Sequence, residues 1–383
     1  MISFWEKSSF LQYDFIIVGS GIVGLSTAAS ILENKPNAKV LIIEKGLLPS
    51  GASTKNAGFA CYGSFTEILA DLKVMPEEMV LRLVALRYKG LNKLRQRLGD
   101  ANIGFEHHGG YELLFTQNDE RLNKIDSLNQ LLQPIFQSNT IAIKNELINT
   151  FGFSEKVKHL IYHPLEAQID TGIMMSNLID YFTRLGGKII TGATIEHYEE
   201  NAKGVSIYTS ENLAHSPLNF KAKKLIFCTN AFTKKNFPQL DIKSGRGQVI
   251  ITKPIRNLKF KGIFHFDEGF YYFRNVGNRV LFGGGRNIDF ETENTTSFGT
   301  TEIIMNDLMH KLQQIILPET PFEIDQSWSG IMAFGKDKFP ILKMINSHII
   351  VAARLGGMGI AIGSELGEQA AAMALEKNIL NKN

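Results

Sequence analysis

Gly19, Gly21 and Gly24 form a GxGxxG run, Gly19-Ser20-Gly21-Ile22-Val23-Gly24, and Glu44 follows 20 residues after the last glycine. At this spacing the first glycine permits a tight turn and the second lets backbone approach a pyrophosphate. The third lets a helix pack on a strand. The amides of Ile22 and Val23 open that helix, whose positive end attracts the diphosphate. Glu44, with Lys45 beside it, can accept hydrogen bonds from two ribose hydroxyls, which favours a ribose without a 2′-phosphate. The chemistry implied is dinucleotide binding.

Two further glycine-rich segments narrow the choice of dinucleotide. In Pro49-Ser50-Gly51-Ala52-Ser53-Thr54-Lys55-Asn56-Ala57-Gly58, small residues leave room for a broad planar ring. Ser53 and Lys55 can meet phosphate oxygens, and Asn56, Ala57 and Gly58 can meet the ring or line its access. In Arg354-Leu355-Gly356-Gly357-Met358-Gly359-Ile360-Ala361 the backbone can touch a ring just where a last helix begins. Reduced flavin carries negative charge along one edge, which a helix N-terminus stabilises. A flavin, and so FAD, fits all three segments. The fingerprint occurs once, so a separate NAD site is not expected.

The elements that must position these residues follow from apolar patterning. Residues 14–18 and 39–44 read as buried parallel strands on either side of a helix over 22–33, a βαβ unit. Helices are expected over 67–98, 120–136, 170–185, 301–316 and 362–376, and strands over 104–116, 188–191, 223–228 and 348–352. From 245 to 284 the pattern becomes all-β, with runs at 248–252, 269–274 and 279–282. The fold class is therefore α/β: a Rossmann-like, discontinuous FAD-binding domain (1–95, 160–235 and 325–383) with an inserted, mainly antiparallel substrate domain (96–159 and 236–324) of α+β character. A length of 383 residues suits two domains.

Composition excludes several classes. A net charge of +3 from 41 basic and 38 acidic residues gives no reason to expect nucleic acid. The two cysteines, Cys61 and Cys228, form neither a disulfide framework nor a zinc cluster, so no metal is expected. No apolar stretch spans a membrane and no signal peptide precedes residue 13, which points to the cytoplasm. His107-His108 read as surface histidines, and Trp328 as packing.

Taken in order, DFIIVGSGIVGLSTA, PSGASTKNAG and RLGGMGIAIGSELGE resemble the D-amino-acid oxidase-like superfamily of FAD enzymes, which includes glycine and sarcosine oxidases. Ser244-Gly245-Arg246-Gly247-Gln248 resembles its RGQ strand start. Tyr272 with Gly283-Gly284 is similar to its substrate-domain strand, and WSGIMAFGKDKFPIL to the segment before its last strand. The resemblance implies that Ile195 and Thr229, Asn230 and Ala231 lie near the adenosine. It also implies hydride transfer to flavin N5 from the carbon beside an amine nitrogen, in an amine or amino-acid substrate whose imine product hydrolyses.

Two positions depart from that pattern. Met332 stands where amino-acid oxidases of the family carry a carboxylate-binding arginine, and Ala361 where some sarcosine oxidases carry a lysine. Tyr272, Arg274 on the same strand face as carboxylate partner, and Arg354 as a residue that closes the pocket are the candidate catalytic residues. Oxidation of a 2-hydroxy acid, or a non-catalytic flavin-binding or redox-sensing role, remains open.

Overall fold

A computed structural model describes residues 3–210 and 218–377. Two eight-stranded sheets carry the chain. The first runs in the order Ile341–Met344, Ile349–Ala353, Asn219–Phe227, Gln12–Val18, Val40–Ile43, Lys188–Ile190. Its centre is parallel: Ile16 pairs with Leu225 on one side and Leu41 on the other, all three fully buried. Strands covered on both faces need unbroken apolar runs, which is why this part of the sequence shows no alternation. A hairpin of Ile195–Asn201 and Gly204–Thr209 adds to Asn219–Phe227. Helices Ile22–Asn34 and Gly359–Ala374 pack together over one face.

The second sheet runs Ile324–Phe334, Lys243–Thr252, Arg279–Gly284, Tyr271–Val276, Ile263–Phe266, Gly110–Leu114, His159–His163, Ala142–Ile143. It is antiparallel except where Ile263–Phe266 meets Gly110–Leu114. Its two faces differ in chemistry. Tyr271, Phe273, Phe264, Phe266 and Phe282 point to one face and form an aromatic core under helix Glu302–Lys311. Phe264 stacks on Phe273 at 4.6 Å between centroids, and Phe266 on Tyr271 at 4.8 Å. Gly245, Gly247, Gly283, Tyr272 and His265 occupy the other face, in register across neighbouring strands.

The βαβ unit and the mainly antiparallel second sheet match the sequence reading. Several boundaries move. The helix expected over 67–98 is two, Phe65–Val74 and Glu77–Leu98, because Pro76 cannot continue the first. The strand expected over 104–116 shortens to Gly110–Leu114, and the helix expected over 301–316 ends in a π-helical turn, Leu312–Ile316. Residues expected at domain edges, 160 and 325, fall inside strands His159–His163 and Ile324–Phe334 of the second sheet. Pairing with the distant Lys243–Thr252, which no local pattern reveals, sets the latter strand. Among the described residues no helix is long and apolar enough to cross a membrane.

Candidate functional site

Between the two sheets lies a cavity of about 1650 Å³, larger than the roughly 300–1,000 Å³ of an ordinary small-molecule site. Its lining includes Glu44, Lys45, Ile195 and Thr229, Asn230 and Ala231. It also includes Gly19, Gly21, Ile22 and Val23, and Ser53, Lys55, Asn56, Ala57 and Gly58. Gly356, Gly357, Met358, Gly359, Ile360 and Ala361 line it too, as does Tyr272. Of the expected cofactor residues only Gly24 stays out of the lining. It packs inward, where a Cβ would run into the Gly19 carbonyl.

The geometry fits a dinucleotide with a flavin. Helices Ile22–Asn34 and Gly359–Ala374 both begin at the cavity with no side-chain cap, whereas Ser64 and Asp170 cap helices elsewhere. Apart from Ile22 N, which donates to Ser53 Oγ, these first turns leave amides free for phosphate and for the flavin's anionic edge. Glu44 is oriented for ribose: Oε2 accepts from Ser20 N and Oγ at 2.8 and 2.9 Å, and Oε1 from Gly46 N at 2.9 Å. Of the carboxylate's roughly four acceptor sites, about one, on Oε1, remains.

Some expected contacts serve the scaffold instead. Asn56 closes its own loop: Nδ2 donates to Ala52 O and Ser53 O, and Oδ1 accepts from Gly58 N. Ser53 Oγ accepts from Ile22 N at 2.9 Å, tying this loop to the first helix. The Lys55 ammonium lies 5.3 Å from the Phe298 ring, and its carbonyl accepts from Trp328 Nε1 at 3.1 Å.

The two arginines expected at the substrate are placed otherwise. Arg274 shares the face of Tyr272 but is buried beneath the loop, near where a Gly58 side chain would lie, and is outside the lining. One residue pair along a strand carries it past the cavity floor. Arg354 lines the cavity with a left-handed backbone, φ 66°. Its guanidinium is taken up by Asp241, Asp337 and the Phe339 carbonyl, with ion pairs of 2.7 Å to each acid. Arg354 thus ties together the segments that carry Asp241, Asp337 and Phe339. Arg246 and Gln248 face away from the cavity: Arg246 bonds Glu293 at 2.7 and 2.9 Å, and Gln248 bonds Thr301.

Sequence reading missed His265. It lies opposite Tyr272 in the hairpin, and Phe59 meets both rings edge-on at 5.0 and 5.7 Å. Its signal was a lone polar residue alternating within Ile263-Phe264-His265-Phe266. Burial pulls its pKa down to about 4, against the opposing pull of the Glu67 carboxylate, so the ring is neutral near pH 7. Nε2 is buried with no hydrogen-bond partner among the described residues. The ring lines both the main cavity and a water-sized one shared with Glu112, His163 and Glu166.

Around His265 the acids divide by their partners. Burial pushes Glu67 up, but Arg87 and Lys338 outweigh it and hold the carboxyl at about 2. Lys338 also reaches Asp71 at 2.7 Å. Glu112, buried among hydroxyls, is pushed up to about 7, and Glu166 to about 8. Cys61 lines the cavity, and burial raises its thiol well above the ordinary range, which makes it a poor nucleophile. His108 lies at the surface with Glu106 at 3.2 Å. No cluster of three or more metal-ligating side chains occurs among the described residues.

Comparison with known proteins adds relatives of two kinds. The family described as FAD dependent oxidoreductase (DAO) matches residues 14–373. The mitochondrial L-2-hydroxyglutarate dehydrogenase of Caenorhabditis briggsae is 26% identical over 218 residues, 57% of this chain and 47% of that protein. The L-2-hydroxyglutarate dehydrogenase of Escherichia coli K12 is 22% identical over 240 residues, 61% of this chain and 51% of that one. The chain thus spans about half the length of these curated relatives. Among solved structures, L-proline dehydrogenase from P. horikoshii superposes with a TM-score of 0.77 at 16% identity, covering 97% of this chain and 96% of that one. Glycine oxidase from Geobacillus kaustophilus gives 0.77 at 20% identity, with the same coverages. These two likenesses speak to the fold.

Proposed function

We propose, on the premise that this chain belongs to the DAO family of FAD-dependent oxidoreductases, that it oxidises a small 2-hydroxy acid to the 2-oxo acid. FAD supplies the two-electron acceptor for the hydride leaving the substrate carbon. The chain supplies the rest.

The observation that carries the choice is His265, a neutral imidazole in the cavity lining beside Tyr272. A hydroxyl is too weakly acidic to shed its proton unaided, so a base must take it as the C–H hydride departs. A neutral imidazole in the cavity lining can do this, and the Glu67 carboxylate stabilises the imidazolium that results. Electrons and protons balance: one hydride leaves carbon, one proton moves from oxygen to His265, and a carbonyl remains. Tyr272 and Phe59 wall the reacting group and exclude water. The resemblance to L-2-hydroxyglutarate dehydrogenases supports the same substrate class.

A second reading, oxidation of the carbon beside an amine nitrogen, is favoured by acidic lining at Glu67, Asp71 and Glu268, which suits an ammonium. Anaerobic mixing of the holoprotein with hydroxy acids, amines and amino acids separates the two. Bleaching of the flavin by hydroxy acids alone is expected; bleaching by amines alone would reverse the assignment. Two free, buried cysteines suit work in a reducing compartment such as the cytoplasm.

A further inference from the structure

The open face of the second sheet has a floor of glycine and, at its edge, a cation with no anion to meet. Gly247 on strand Lys243–Thr252 lines the cavity, Gly245 on the same face lies under the Phe334 ring, and Met332 is the residue directly opposite Gly245. Arg286 reaches this floor from another part of the chain. Gly284 and Gly285, at φ 134° and 75°, turn the chain back after strand Arg279–Gly284 in a conformation that side-chain-bearing residues rarely adopt. The guanidinium then lies over Gly245, its Nη1 3.0 Å from where a Cβ there would stand. It lies 4.0 Å from the Phe334 ring and 4.8 Å from the Phe290 ring, so two aromatic faces fix its plane.

Among the described residues no hydrogen bond or ion pair satisfies this guanidinium. The acid whose charge it feels, Glu293, has both oxygens committed to Arg246. Two other cations of the lining are already paired: Arg354 with Asp241 and Asp337, and Lys338 with Glu67 and Asp71. A half-buried, ring-held guanidinium with free donors is built to receive a planar anion in two parallel hydrogen bonds.

We propose that Arg286 anchors a carboxylate of the substrate, reaching in from the turn after strand Arg279–Gly284 to the place beside Gly245 where strand Ile324–Phe334 presents Met332. This deepens the hydroxy-acid reading and rests on it for the identity of the reacting group. Arg286 thereby determines specificity: acids bind, and their amides or esters bind weakly.

The test is binding to the oxidised holoprotein, which needs no turnover. Glutarate and propionate are titrated against the absorbance of bound flavin, with glutaramide and propionamide as neutral controls, in wild type, Arg286→Met and Arg286→Lys. Loss of one charged, bidentate contact should weaken carboxylate binding by about 10- to 100-fold in Arg286→Met, with a smaller loss in Arg286→Lys. The amides should bind weakly and equally to all three proteins. Arg286→Lys keeps the charge and the stem between the rings, so it reports even if Arg286→Met fails to fold. Equal carboxylate affinity in wild type and Arg286→Lys, or no carboxylate binding by wild type, overturns the proposal. Arginine-dependent glutarate binding without bleaching by any hydroxy acid would retain the anchor and discard the hydroxy-acid reading. Bleaching by hydroxy acids with carboxylate affinity indifferent to residue 286 would do the reverse.

Discussion

The two faces of the second sheet are made by the same strands and do opposite things. On one face Phe264, Phe273, Phe266, Tyr271 and Phe282 stack and interlock beneath a helix, all buried. On the other, glycines at 245, 247 and 283 withhold side chains, and Tyr272 and His265 stand over the space thus left. Alternation in a strand normally separates core from solvent. Here it separates a packed wall from the lining of a cavity, so rigidity on one face fixes the geometry of the other.

The comparison predicts that substitutions divide cleanly by face. The largest effect is expected at His265. Replacing it with Gln should slow flavin reduction by a hydroxy acid about 10²- to 10⁴-fold, the usual worth of a positioned base. Thermal stability and FAD content should stay near wild type. Stopped-flow reduction beside a melting curve decides this, and an unchanged reduction rate would remove His265 from the chemistry.

Phe273→Ala, one residue along from Tyr272, should do the converse. Truncating a fully buried ring costs about 3–5 kcal/mol, read as a lowered urea midpoint, while the folded fraction reduces its flavin at nearly the wild-type rate. A rate loss as large as that of His265→Gln would show that the two faces are not separable.

A smaller effect lies in the pH dependence of stability. His265 has a folded pKa near 4, below the ordinary 6.5. Between those values the unfolded chain binds the extra proton, so stability falls as pH drops from 6.5 towards 4, by at most about 1.4 kcal/mol per pH unit. Glu166 has the opposite sign: raised from 4.5 to about 8, it contributes most below pH 4.5, and its contribution declines as pH climbs through 8. Between pH 4.5 and 6.5 the two slopes oppose one another, and from 6.5 to 8 only the Glu166 decline remains. In urea unfolding from pH 4.5 to 9, Glu166→Gln should lose less stability than wild type as pH rises to 8, and His265→Gln should lose less as pH falls below 6.5. The reduction rate itself should hold down to about pH 5, since His265 stays neutral there.

The smallest change is expected for Tyr272→Phe, which keeps the wall and removes one hydroxyl. A neutral hydrogen bond to substrate contributes about 1 kcal/mol, so a loss of roughly fivefold in kcat/KM with no shift in melting temperature is the outcome to look for.

Much of the nucleotide end was legible because its signals are local. Turn, helix start and acid-terminated strand fall within residues 14–44. Gly356–Ala361 was legible for the same reason. The catalytic end was not. Arg274 and Arg354 were the natural guesses from residue type, yet one is covered by the loop at Gly58 and the other is neutralised by Asp241 and Asp337. Whether an arginine is free depends on which acids fold against it, and those acids are distant in sequence.

Sequence alone determined the α/β class, the single dinucleotide fingerprint and the three glycine-rich segments that line the cavity, because each is encoded in a contiguous stretch whose backbone conformation its own residues impose. Tertiary structure decided that His265 faces Tyr272, that Arg286 overlies Gly245, and that strand Ile324–Phe334 belongs to the second sheet. Strand register and the pairing of buried charges are set by residues tens to hundreds of positions apart, and no local pattern carries that information.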